Sequence, residues 1–210
     1  MIRILIVDDH AIVRKGLKQI LAEEFDKAVF GEAQNVAELK ALAQSQDWNI
    51  VILDISMPGK NGLDALTDMK REKSRLPVLV LSMHPEDQFA VRVLKAGASG
   101  YMTKESAPEE LVTAIRRVLA GGRYISSSLA ERLAFDMGAD YEQPPHDKLS
   151  DREYQVICMI ASGKTVSDIA EELSLSVKTI STYRSRILEK MHMKNNAELT
   201  YYAIHNQLVY

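Results

Sequence analysis

The chain holds a single cysteine, Cys158. One thiol forms no internal disulfide, so packing alone must hold the fold, and a reducing compartment suits it. In "YQVICMIAS" that thiol takes an apolar helical position, as inert core packing does. Long hydrophobic runs are also missing: none nears the ~20 residues of a spanning helix. The opening "MIRILIVDDH" reaches two aspartates by residue 9, too early for a signal peptide. A soluble, cytoplasmic protein with no membrane partner is expected. Neither G-x-x-x-x-G-K-[ST] nor G-x-G-x-x-G occurs, which argues against ATP or NAD binding; the glycines of "PGKNG" make no such cradle. Charge of one sign is lacking too. Net charge is only −3, so any basic surface for nucleic acid has to be local.

What is present suffices for well-packed domains. The 210 residues allow one large domain or two small ones, and 46% apolar content lets each bury a core. Up to about residue 122, β-rich runs alternate with amphipathic stretches. The runs are "IRILIVDD", "KAVFGEA", "NIVILD", "PVLVLS" and "SGYMT"; the stretches lie near 12–23, 35–45, 62–73, 86–96 and 108–120. Such alternation predicts a five-stranded parallel α/β sheet, doubly wound with helices on both faces. Residues 4–7, 50–53 and 78–81 are apolar without alternation, as central parallel strands require. The acidic "ADYEQPPHDK" lacks apolar periodicity and reads as linker. From Leu149 on, every pattern is helical, with four helices expected near 150–162, 166–173, 177–191 and 196–206. Ser150 with Glu153 predicts a capping box, Gly163 a stop and Ser176 a third cap.

In open α/β sheets, functional groups collect where strands end. The ends here carry Asp8 and Asp9, Asp54, Ser82 and Lys104. Each alone has an ordinary reading: a helix cap for either early aspartate, a turn residue for Asp54, loop polarity for Ser82, a surface charge for Lys104. Together, three carboxylates, a hydroxyl and an ammonium form a site. Clustered carboxylates repel, and Mg²⁺ with hard oxygen ligands resolves that repulsion. A metal-bridged carboxylate facing an ammonium can accept a phosphoryl group, because both cations neutralise its oxygens.

"VDDH", "LDISMPGKNGLDAL", "VLSMH" and "KAGASGYMTK" resemble the receiver domain of bacterial two-component response regulators, over about residues 1–122. The resemblance implies a flavodoxin- or CheY-like fold with Asp54 as phosphoacceptor from a sensor histidine kinase. It implies Asp9 as direct Mg²⁺ ligand, Asp8 as a ligand through water, and the Ser56 backbone carbonyl as a further one beside Asp54. Lys104 is implied to pair with the phosphoryl oxygens, Ser82 to be the switch hydroxyl, and Tyr101 the aromatic that follows it inward. Ser56 and His84, each two residues past a key position, are implied to tune phosphoryl lifetime. Ser82 stands where Thr is commoner. Glu105 follows Lys104 where Pro is common, so no cis bond is expected there. The chemistry is self-catalysed acceptance and autodephosphorylation, not turnover of an external substrate. A haloacid-dehalogenase-type enzyme also places an aspartyl nucleophile after a strand, but Ser56 stands where its second Asp is needed.

"TVSDIAEELSLSVKTISTYRSRILEKM" has the outline of a helix-turn-helix, and pattern alone leaves an ordinary helical hairpin open. Charge separates the halves. Residues 176–194 carry a local +4 and residues 147–175 a local −3, so basic charge sits on the second helix of the motif. From about 148 to 210 the chain resembles the effector domain of the NarL/FixJ class, also called LuxR-type. That implies a four-helix domain whose third helix reads the major groove of double-stranded promoter DNA. By position, Ser181, Thr182 and Ser185 take base-reading roles. Lys178, Thr179, Tyr183, Arg184 and Arg186 take phosphate contacts. Residues 123–147 are then the interdomain linker, with a short helix. The resemblance implies a homodimer on DNA when phosphorylated, and RNA polymerase as a further candidate partner. A signalling module whose last helices bind protein is the rival, separable by the salt dependence of DNA affinity.

Overall fold

In the computed structural model of the chain, the alternating runs become five parallel strands and five helices. They are β1 (Arg3–Val7), α1 (Ala11–Glu24), β2 (Val29–Ala33), α2 (Val36–Ser45), β3 (Ile50–Asp54), α3 (Gly62–Glu72), β4 (Val78–Ser82), α4 (Glu86–Lys95), β5 (Gly100–Thr103) and α5 (Ala107–Leu119). The structure describes all residues except 58–61, 84, 85, 128, 132–143, 207 and 210, and it leaves undescribed the side chains of 87, 88, 147 and 151. The chain divides into two compact units, Met1–Glu131 and Arg132–Tyr210.

In the first unit the strand order is β2-β1-β3-β4-β5, all parallel. Strands 3 to 5 build away from β1 on the side opposite β2. The order therefore reverses between β1 and β3, and the crevice beyond their carboxyl ends is the site such a sheet offers. Alternate residues point to opposite faces. Ile4, Ile6, Ile50, Ile52, Leu79, Leu81 and Met102 meet Leu17 and Leu21 of α1 and Leu111, Ile115 and Val118 of α5. Their neighbours Leu5, Val51, Leu53, Val80 and Tyr101 are equally buried, with α2 against β2 and α4 against β5. Two covered faces explain why these strands show no polar alternation.

The first unit runs past the expected boundary at 122, to Glu131. The reason is a backbone pairing along the edge of the sheet. Tyr124 N–H donates to Ser99 O (3.0 Å), and Tyr124 O accepts from Tyr101 N–H (3.1 Å), so Tyr124 bridges to Gly100 in parallel sense. The Glu86 carboxylate at the start of α4 takes the Ser126 N–H (3.3 Å) and the Ser126 hydroxyl. Tyr124 hydroxyl donates to Glu110 Oε2 at 2.6 Å; burial and then that carboxylate push its pKa up to about 12. The start of the expected linker thus covers the β5 edge, which would otherwise present unpaired backbone groups. The rest of the linker's expected short helix, beyond Glu131, lies outside the described residues.

The second unit has a 3-10 turn (Pro145–Lys148) and helices α6 (Asp151–Ala161), α7 (Val166–Glu172), α8 (Val177–Lys190) and α9 (Asn196–His205). Each helix starts on a side-chain cap that satisfies an orphan N–H. Ser150 and Thr165 form capping boxes with Glu153 and Asp168, while Ser176 and Asn195 accept from Thr179 N and Glu198 N. Three helices end in a left-handed residue, at Gly163, Ser174 and His192. In each case the next N–H reaches back to the last turn, as Leu175 N does to Ala170 O (2.8 Å). Ile157, Ile169, Ile180, Ile187, Leu199 and Ala203 form the apolar centre. His146 Nδ1 lies 2.8 Å from the Tyr202 hydroxyl and pins the 3-10 turn to α9.

One ion pair ties the start of α6 to the end of α8: Lys190 Nζ to Glu153 Oε2, 2.6 Å. Burial raises the Glu153 pKa, but the Lys190 bond and the Ser150 N–H outweigh it and hold the carboxyl below its usual range. A depressed folded pKa adds stability that is complete above the unfolded value and is lost as pH falls through the folded one. Carboxyl-carbon NMR should place the Glu153 titration below an ordinary glutamate. Lys190→Met should move it up, so on acidification the variant should lose the stability that Glu153 adds over Gln at a higher pH than wild type does; an unshifted titration would refute the pairing.

Candidate phosphoacceptor site and nucleic-acid interface

The register places Leu53 beside Val7 and Asp54 beside Leu81, so Asp8 and Asp54 leave adjacent strands side by side. Beyond β5, the Lys104 N–H donates to Ser82 O (2.8 Å), which anchors the lysine next to the β4 end. Lys104 Nζ then lies 2.6 Å from Asp8 Oδ2 and 2.7 Å from Asp54 Oδ2. Both aspartates are 1% exposed. Their second oxygens are held by backbone: Asp8 Oδ1 accepts from His10 N–H, and Asp54 Oδ1 from Ser56 N–H, each at 2.8 Å. Arg14 donates to Asp8 O at 2.6 Å, fixing α1 to the strand end.

Gly62 opens α3 directly over this edge. A Cβ there would lie 2.5 Å from Ile55 Cα and 2.8 Å from Asp54 O, a clash with backbone that nothing flexible can relieve. The glycine therefore lets α3 seat against the peptide that carries Asp54.

Electrostatics confirm an unbalanced pocket. Burial raises the Asp54 pKa, with Lys104 and the Ser56 N–H opposing it. Burial lowers the Lys104 pKa, but Asp54 and Asp8 more than offset that and the net direction is up. Asp8, Asp9 and Asp54 face one ammonium, leaving negative charge that a divalent cation would neutralise. Ligand atoms of Asp8, Asp9, His10 and Asp54 all lie within 4.8 Å of one another. Clustered hard carboxylate oxygens fit Mg²⁺.

The expected residues converge, with additions. Ser82 is fully buried beside Thr103 in register. Tyr101 is also buried, at 1% exposed. Ser56 sits at the site with its Oγ shielded from solvent and without a hydrogen-bond partner among the described residues. His84 lies outside the described residues. His10 and Arg14 are site residues that strand-end reading missed. His10 was visible in "DDH", whereas nothing local marks Arg14.

In the second unit, α8 presents Lys178, Ser181, Thr182, Ser185 and Arg186 exposed, with Thr179, Tyr183 and Arg184 half-buried. Thr182 and Ser185 hydroxyls donate to the carbonyls of Lys178 (2.9 Å) and Ser181 (3.1 Å). Their protons are used within the helix, and their lone pairs face outward as acceptors. Arg184 differs from Lys178 and Arg186: its Nε donates to Asn196 Oδ1 of α9 at 2.5 Å. It braces α8 against α9 instead of projecting freely.

Residues 4–116 match the response regulator receiver domain, and residues 147–203 match the bacterial regulatory proteins of the luxR family. The chain belongs to the two-component response regulators. It is 40% identical to the response regulator GacA of Pseudomonas aeruginosa over 210 residues, covering 100% of this chain and 98% of that one. It is 37% identical to the response regulator UvrY of Escherichia coli K12 over 209 residues, covering 99% and 96%. Among solved structures, RcsB of Salmonella enterica serovar Typhimurium, bound to promoter rprA with the phosphomimetic BeF3⁻, aligns with a TM-score of 0.63. Its identity is 28%, over 96% of this chain and 98% of that one. The response regulator is thus a non-enzymatic transcription factor with a receiver domain and a LuxR-type helix-turn-helix. No helix among its described residues is long and apolar enough to cross a membrane.

Removing the ammonium of this response regulator should leave two buried carboxylates uncompensated. Lys104→Met should destabilise the first unit by about 3–5 kcal/mol, read in urea from the fluorescence of the single tryptophan, Trp48. Added Mg²⁺ should restore more stability to the variant than to wild type. Equal Mg²⁺ effects on both would contradict the charge argument.

Proposed function

We propose that Asp54 accepts a phosphoryl group from a sensor histidine kinase and that this switches dimerisation and promoter binding in the cytoplasm. The observation that carries the reading is the buried Asp54 carboxylate at the β1/β3 crevice, in contact with Lys104 and beside Asp8 and Asp9. An Asp54 oxygen attacks the phosphorus as the kinase histidine nitrogen leaves. Lys104 releases its carboxylate contacts and pairs with the phosphoryl oxygens. Asp9, Asp54 and the Ser56 carbonyl would hold Mg²⁺ directly and Asp8 through water, and the ion would supply neutralisation of charge on the phosphoryl oxygens. Ser82 moves its hydroxyl toward the phosphoryl group, and Tyr101 follows it inward. Ser56 and, by its place in the sequence, His84 tune the lifetime of the phosphoryl group in autodephosphorylation. The outcome is a population shift toward a form that dimerises.

The DNA-bound RcsB supports the output reading, since the alignment spans both units. Helix α8 enters the major groove, with Ser181, Thr182 and Ser185 toward base edges and Lys178, Thr179, Tyr183 and Arg186 toward phosphates. Arg184 contributes by orienting α8 and by proximity to the backbone. Residues 1–122 carry the phosphoacceptor role, 148–210 the DNA-binding role, and 123–147 join them. RNA polymerase is a candidate partner at the promoter.

Incubation with acetyl phosphate and Mg²⁺ should add one phosphoryl group to wild type and none to Asp54→Asn, by intact mass. The phosphorylated protein should bind promoter DNA more tightly than Asp54→Asn; equal affinity would sink the switch.

The interface makes a separate prediction. Lys178→Ala and Arg186→Ala should each lower the slope of log affinity against log salt by about 1. Arg184→Ala should change that slope less, because its guanidinium is engaged by Asn196. Fluorescence anisotropy on one duplex across a salt series measures all three. A larger effect for Arg184 would place it on the phosphates.

A further inference from the structure

His10 is the group on this edge that the phosphoryl chemistry leaves unused. It occupies the N-cap of α1, where a polar side chain ordinarily turns back to a helix N–H, yet it makes no such bond. Its Nδ1 instead lies 3.0 Å from Asp9 Oδ1 and 3.3 Å from Asp8 Oδ1. Lys104 engages the other oxygen of Asp8, Oδ2, so the imidazole and the ammonium sit on opposite sides of that carboxylate. Six ligands at about 2.1 Å from an ion lie about 3 Å apart when adjacent and about 4.2 Å apart when opposite. The 3.0 Å spacing to Asp9 matches adjacent positions, and Asp8, which reaches the ion through water, lies beside the ring at 3.3 Å. The ring is 63% exposed, so it is not locked in a core and needs no repacking to turn its nitrogen inward.

We infer that His10 supplies an imidazole nitrogen to the divalent-cation site, biasing it from Mg²⁺ toward ions that accept nitrogen, such as Mn²⁺. The chemistry is one of ligand preference: Mg²⁺ favours oxygen and water, whereas imidazole suits first-row ions such as Fe²⁺, Ni²⁺ and Zn²⁺, and Mn²⁺, the weakest of that series, accepts nitrogen and serves as the spectroscopic probe. The inference rests on the reading that this edge binds a divalent cation.

Mn²⁺ added to the full chain provides the probe, because its pulsed EPR spectrum detects a directly bonded nitrogen. Wild type should show ¹⁴N modulation of the bound Mn²⁺, and His10→Gln and His10→Ala should both lose it. Calorimetry should show Mn²⁺ affinity falling by at least ~10-fold in both variants, the lower end of what losing even an outer partner does, while Mg²⁺ affinity holds. Bound Mn²⁺ without ¹⁴N modulation in wild type would overturn the inference and leave the cation site standing. An equal loss of Mn²⁺ and Mg²⁺ affinity would overturn it too, since it would make His10 a residue that merely positions Asp8 and Asp9. Failure of wild type to bind either ion would overturn the cation site itself and the inference with it.

Discussion

Lys104 Nζ lies between two buried carboxylates, 2.6 Å from Asp8 and 2.7 Å from Asp54, and the receiver edge is organised around that contact. Desolvated charges of one sign on neighbouring strands would repel strongly without it. The ammonium makes the pocket tolerable and leaves it incomplete, because Asp9 still adds negative charge. A pocket that is stable yet short of positive charge is suited to take up a cation and then a phosphoryl group. The same lysine is tied by its own N–H to the backbone carbonyl of Ser82, so its main chain is fixed to the end of β4.

The edge also explains how the strands can be so uniformly apolar. Helices cover both faces of the central strands β1, β3 and β4, so along them only the strand ends meet water, whereas Glu32 within the edge strand β2 is exposed. Chemistry is confined to those ends. Gly62 is part of the same constraint: α3 must start against the Asp54 peptide, and only a residue without Cβ fits. At the β5 edge, Tyr124 and Ser126 extend the first unit, held by Ser99, Tyr101 and Glu86. Glu86 opens α4, the next element in the chain after β4, so the segment leading out of the receiver is bonded to the helix that follows Ser82.

In the second unit the caps carry much of the specification. Four helices of modest length gain little from propensity alone, and each begins on a side chain that accepts an N–H. Two cross-helix contacts then set α8: Glu153 with Lys190 at its end and Arg184 with Asn196 in its middle. These contacts use up two of the basic groups that a charge count assigns to the helix. The exposed remainder, Lys178 and Arg186 flanking small hydroxyls, is a narrower surface than the local +4 suggests.

The strands, the helices and the converging Asp8, Asp9, Asp54, Ser82 and Lys104 were legible in the residue pattern. Period, capping residues and strand-end position are properties of short stretches, and so is "DDH", although its histidine was passed over. The roles that depend on distant partners were not legible. Nothing near Lys104 announces that it bridges two aspartates far earlier in the chain, nothing near Arg184 points to Asn196, and Tyr124 looked like linker until it paired with β5. By itself the sequence determined which segments are strands and helices, and which polar residues stand at their ends. Only the tertiary structure decided which of those polar groups touch, because that depends on strand order, register and helix packing across long separations in the chain.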